Sequence, residues 1–141
     1  MSRRISYVAR ECGVSDRVKL LGRRSRSQVG ALLRESDVLL QPSVSEGMPV
    51  SILEAMATGL PVVAADCGGV AEAVQDGVEG FVVPPRDPVA LADALEAIAG
   101  LPDAGAEMGQ AARCRVLQEF DISDQIARFE NLYAELSGGP G

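Results

Sequence analysis

The chain has 141 residues, 47% of them hydrophobic, which suits one domain with a buried core and excludes a disordered chain. Aromatic residues make up only 4% and Trp is absent, so no stacking platform for single-stranded nucleic acid is present. The net charge of −7 is uneven, because the first 34 positions hold nine of the 13 basic residues against Glu11 and Asp16, a local +7.

Ile5, Val8, Ala9 and Cys12 have helical spacing, and Gly13 can close that helix. Val18 to Leu21 reads as a strand ending at Gly22. Ser25 or Ser27 can cap a helix bearing Val29, Leu32 and Leu33. Near Asp37 it gives way to a second strand, Val38 to Gln41, and Pro42 to Ser45 is the loop leaving it. A helix beginning around Pro49 runs through Thr58, with Gly59 at its end. Pro61 opens the third strand, Val62 to Ala65. Asp66 to Gly69 then makes a tight turn into a short helix whose first turn holds Glu72, a stabilising charge there. Gly80 to Val83 is the fourth strand, stopped by Pro84 and Pro85. Asp87 caps and Pro88 opens a helix with Leu91, Ala94, Leu95 and Ile98 on one face. Residues 103–119 read as another helix, Ile126 to Leu136 as a last amphipathic one, and 137–141 as a flexible tail.

The basic residues at the start are interleaved with ordered structure and read as a solvated face, with peripheral contact to anionic lipid as the alternative. There is no apolar run of membrane-spanning length and no signal-peptide core after Met-Ser-Arg-Arg. Cys12, Cys67 and Cys114 are widely spaced, odd in number and accompanied by no histidine. That pattern fits a reduced, cytoplasmic protein and gives no metal site. Cys67, inside the glycine turn, is either a reactive thiol or buried filler.

The segment Glu46-Gly47-Met48-Pro49-Val50-Ser51-Ile52-Leu53-Glu54 carries the functional signal. Two carboxylates bracket a helix start at the carboxyl end of a strand, where open parallel sheets bind their ligands. The first amides of a helix lack intrahelical acceptors and carry partial positive charge. Gly47 permits close backbone approach, and Pro49 suits the first helical turn because it has no N–H to satisfy. A diphosphate would rest on the amides of Val50 and Ser51. Glu54, a turn further on, is placed to accept ribose hydroxyls, and Glu46 faces whatever lies beyond the phosphates. A plainer reading makes Glu54 a surface charge and Glu46 a partner of the helix dipole. Gly68 and Gly69 fit close approach to a donor or a turn needing positive φ equally well.

Together, Pro42-Ser43, Glu46-Gly47, Glu54-Ala55-Met56-Ala57, Gly59, Pro61-Val62, Gly68-Gly69, Glu72, Asp76-Gly77 and Gly80 resemble retaining glycosyltransferases of the GT-B fold. The similarity is to the glycosyltransferase family 4 group, with its two glutamates separated by seven residues, and it extends from about Ile5 to Leu136. It implies an α/β, Rossmann-like parallel sheet forming a partial C-terminal domain over 1–136. By resemblance, Glu46 is the catalytic residue, contacting the transferred sugar, and Glu54 binds the nucleotide ribose. Gly47, Met48, Pro49, Val50, Ser51, Gly68 and Gly69 surround the rest of the donor. The substrate is then a nucleoside-diphosphate sugar, with no further cofactor, no metal and no nucleic acid.

The resemblance begins before the third strand of the donor domain. An acceptor domain, two donor-domain strands and a basic Arg and Lys pair for the diphosphate have no counterpart, and Arg23 and Arg24 do not match that pair. In a 3-2-1-4-5-6 sheet, strand 3 (Val18 to Leu21) is separated from strand 4 (Val38 to Gln41) by the two that are absent, a gap of about 14 Å. The expectation is an unstable chain, inactive without the acceptor domain. The alternatives are the donor half of a two-chain enzyme and a non-catalytic nucleotide- or partner-binding module.

Overall fold

The computed structural model describes residues 2–101 and 104–137. Helix α1 (Ser2–Glu11) closes at Gly13, whose φ of 68° lets the Val14 amide return to the Ala9 carbonyl at 2.9 Å. A 3-10 turn at Ser15–Arg17 follows. Val18 to Leu21, expected as a strand, forms none, and Val18, Leu20 and Leu21 remain 38–46% exposed. A β-prone run becomes a strand only when neighbouring backbone accepts its hydrogen bonds, and no described strand lies beside this one. Helix α2 (Arg26–Arg34) is capped by Ser25, in a capping box closed reciprocally by Gln28. Ala9 is the one buried residue among positions 3–37.

The sheet has three parallel strands in the order β1 (Leu39–Gln41), β2 (Val62–Ala65) and β3 (Gly80–Val83). Leu39 pairs with Val62, and Val62 in turn with Gly80. All four residues of central β2 are buried, which is why the sequence there is an unbroken apolar run rather than an alternating one. Its side chains still divide between faces. Val62 and Ala64 pack with Ile52, Met56, Val70 and Ala112, while Val63 packs with Ala94 and Ile98.

Helix α3 (Val50–Ala57) and the one-turn helix α4 (Val70–Ala73) connect the strands, α5 (Pro88–Gly100) covers the second face, and α6 (Ala104–Glu119) returns onto α3. Asp87 caps α5 by accepting from the amides of Val89 and Ala90 at 3.1 and 2.9 Å, with Pro88 at its first position. α3 ends where Gly59 (φ 82°) donates to Met56 O at 2.9 Å and Leu60 to Ala55 O at 3.1 Å, the double closure that glycine permits. Buried Gly109 of α6 lies against that turn, and a Cβ added to it would strike the Gly59 carbonyl. Helix α7 (Ile122–Ser137) has the expected apolar stripe, yet Ile126, Phe129, Leu132 and Tyr133 face solvent at 49–67% exposure. It includes Ser137, the first residue of the expected tail, while position 103 and the rest of the tail lie outside the described residues.

Candidate functional site

The carboxyl ends of β1 and β2 deliver two loops to the same place. Residues 42–49 leave β1 and enter α3, and residues 66–69 leave β2 and enter α4. They are pressed together, with the Gly69 amide donating to the Gly47 carbonyl at 2.9 Å. Gly68 has φ 56°, and a Cβ there would fall on the Glu46 carbonyl and 2.9 Å from Gly47 O. Gly68 is therefore demanded twice, by its positive φ and by the backbone it touches. The Cys67 thiol donates to Ser43 O at 3.2 Å and packs at the edge of the core, as filler would.

Pro49, expected inside the first turn of α3, is instead its N-cap, with φ −76° and ψ 104°. It offers no side-chain cap, so the helix-start amides depend on other acceptors. Ile52 and Leu53 donate to the Pro49 carbonyl at 3.0 and 3.5 Å. Among the described residues no acceptor meets the amide of Val50 or Ser51. Glu46 is exposed on the loop, and Glu54 lies one turn into α3 with its side chain 35% exposed. Met48 is 38% exposed on the loop and its methyl group reaches to within 3.2 Å of the Cβ position at Gly69.

Two neighbours were not visible in the sequence pattern. Gln41, the last residue of β1, donates to Ser43 Oγ at 2.9 Å and to Glu46 Oε1 at 3.5 Å, and accepts from Ser51 Oγ at 3.3 Å. The only advance sign was a polar residue closing an otherwise apolar strand. Arg26, first in α2, stands 3.9 Å from Glu54, a pairing loose and exposed enough to contribute little to stability. It nonetheless places a cation beside Glu54, where Arg23 and Arg24 supply none among the ion pairs found.

A second polar cluster lies away from these loops. Glu79 is buried at 4% exposure, accepts from the Gln75 amide at 2.7 Å and pairs with Arg115 of α6 at 3.6 Å. Arg115 also donates to the Glu72 carbonyl at 3.1 Å, tying α6 to α4. Among the described residues no helix is long and apolar enough to cross a membrane, and no group of acidic, Cys or His side chains is arranged to hold a metal.

The family profile described as glycosyl transferases group 1 matches residues 1–115. The chain belongs to that family. The D-inositol 3-phosphate glycosyltransferase of Streptomyces scabiei is 40% identical over 108 residues, covering 77% of this chain and 24% of the relative. Sucrose-phosphate synthase from Thermosynechococcus elongatus superposes with a TM-score of 0.91 at 30% identity, over 98% of this chain and 35% of that one. The Anabaena HepE protein, solved with UDP-glucose, gives 0.84 at 30% identity over 92% and 36%. The fold is thus part of the C-terminal domain of a GT-B glycosyltransferase, as the resemblance to glycosyltransferase family 4 implies. The chain spans about a quarter of the length of the Streptomyces relative.

Proposed function

We propose that the chain is the donor-binding domain of a glycosyltransferase, moving a sugar from a nucleoside-diphosphate sugar to an acceptor with retention, and that turnover needs an acceptor domain. The observation that carries this is the pair of unoccupied amides at Val50 and Ser51, flanked by Glu46 on one side and Glu54 on the other. A diphosphate on those amides meets the helix dipole, and stabilising that leaving group is the principal chemical demand of the reaction. Glu54 then takes the ribose hydroxyls, displacing or sharing Arg26. Glu46 takes hydroxyls of the sugar, and Gly47, Met48, Pro49, Gly68 and Gly69 form the surface against which the donor lies. The acceptor proton goes to the leaving phosphate, which removes the need for a strong base. HepE, solved with UDP-glucose, makes a uridine nucleotide the first ligand to try.

The half-buried to exposed apolar residues of α1, α7 and the 18–21 segment favour a site completed by further polypeptide, in the same chain or a separate acceptor-domain chain. The three free cysteines support a reducing, cytoplasmic setting. A membrane contact, if made, would be peripheral and would use the basic residues of the first 34 positions.

The test is calorimetric titration of the chain with UDP and UDP-glucose, with GDP and ADP in parallel to identify the base. Glu54→Ala should weaken UDP about tenfold or more, the loss of charge-assisted hydrogen bonds. Glu46→Ala should leave UDP nearly unchanged and weaken UDP-glucose relative to it. Equal losses for UDP in both variants would remove the assigned roles. A wild-type chain that gives the dispersed amide spectrum of a folded domain and is indifferent to every nucleotide would remove the function.

A further inference from the structure

The Gln41 side chain, on the strand end, joins the loop bearing Ser43 and Glu46 to the first turn of α3 at Ser51. We infer that Gln41 is a positioning residue that sets the Glu46 carboxylate toward the donor sugar. The inference rests on the donor-binding reading above. The orientation of the amide follows from chemistry. A carboxylate only accepts, so Nε2 must face Glu46, and Oε1 is left for the Ser51 hydroxyl. Ser51 thereby spends its hydroxyl hydrogen on Gln41 and keeps its backbone N–H for the ligand.

Position 41 makes this arrangement rigid. Gln41 pairs in register with Ala64 of the fully buried central strand, so its backbone is fixed by the sheet. Its side chain is half-buried, whereas Glu46 is exposed on a loop with no other side-chain partner among the hydrogen bonds found. An exposed glutamate samples several rotamers, and a fixed donor on one oxygen narrows them before the sugar arrives. Gly68 holds the same loop through backbone contact at Glu46 and Gly47, without acting on the carboxylate. The two constraints are therefore separable.

Gln41→Glu separates them experimentally. Its shape is kept, the Ser51 hydroxyl keeps its acceptor, and the Ser43 hydroxyl, which accepts from Gln41 Nε2, can turn to donate instead, but the donor facing Glu46 becomes a second carboxylate. The readout is the ratio of the UDP-glucose to the UDP dissociation constant, which a general loosening of the loop would not move. Gln41→Glu should raise that ratio about tenfold, while repulsion between the added charge beside Ser51 and the diphosphate weakens UDP and UDP-glucose alike and cancels in the ratio. Gln41→Leu, which avoids the added charge should Gln41→Glu misfold, should raise it in the same direction, with an amide spectrum confirming the fold. A ratio unmoved in both variants, with wild type binding both ligands, overturns this inference alone. A wild type that binds neither ligand while its amide spectrum shows a folded domain overturns the donor-binding reading and this inference together.

Discussion

Gly68 shows how a residue without a side chain can matter more than the carboxylates beside it. Its φ of 56° and its contact with the Glu46 carbonyl leave no room for a methyl group. Gly68→Ala should cost about 2–4 kcal/mol, combining backbone strain with overpacking, and chemical denaturation would measure it. The same substitution at Gly47, where nothing lies within 4 Å of the Cβ position, should cost far less. Equal costs at the two positions would show that the loops are not locked together as described. The sequence left Gly68 open between a turn and a ligand contact. The structure supplies the turn and a backbone neighbour, because positive φ is a local property while the neighbour is 22 positions away.

Elements with punctuation of their own were legible in advance. Asp87 with Pro88, and Gly59, act within four residues, so the spacing located those helix ends, while for α2 it left Ser25 and Ser27 open and the structure chooses Ser25, paired with Gln28. Central β2 was legible as an apolar run of strand length between Pro61 and the glycine turn. Val18 to Leu21 was not, since its composition is that of a strand and only the missing ladder makes it a coil. In the candidate site, Glu46 and Glu54 were singled out by the family resemblance, their spacing alone fitting surface charges equally well, whereas Gln41 and Arg26 touch them through contacts that no spacing encodes. The packing of α6 on α3 is likewise tertiary, and Gly109→Ala tests it. A Cβ driven into the Gly59 carbonyl should cost about 1–3 kcal/mol even though alanine is the better helix former. A gain in melting temperature would show that the two helices can separate freely.

The whole molecule divides its stability unevenly. Among the described residues, 39–119 hold nearly all the buried side chains, while α1, the 18–21 segment and α7 display Ile5, Val8, Leu20, Phe129 and Leu132 to solvent. Exposed apolar surface on that scale favours association over independent solubility. The isolated chain should therefore aggregate on heating or melt without cooperativity, as light scattering and circular dichroism during a thermal ramp would show. A sharp, reversible transition from monomer would contradict it.

The poorly buried beginning has another consequence. Arg17, Lys19, Arg23, Arg24 and Arg26 all fall between α1 and the first turn of α2, in backbone that belongs to no sheet. Trypsin needs an extended, locally opened segment, and opening this one disturbs almost no core. Brief digestion of the native chain should cut there first and accumulate a resistant fragment starting close to Ser27, readable by mass spectrometry. Initial cleavage at Arg113 or Arg115, on the helix that packs against α3, would mean that the two regions open together. The basic charge concentrated in this stretch thus doubles as a map of where the chain should be most easily severed.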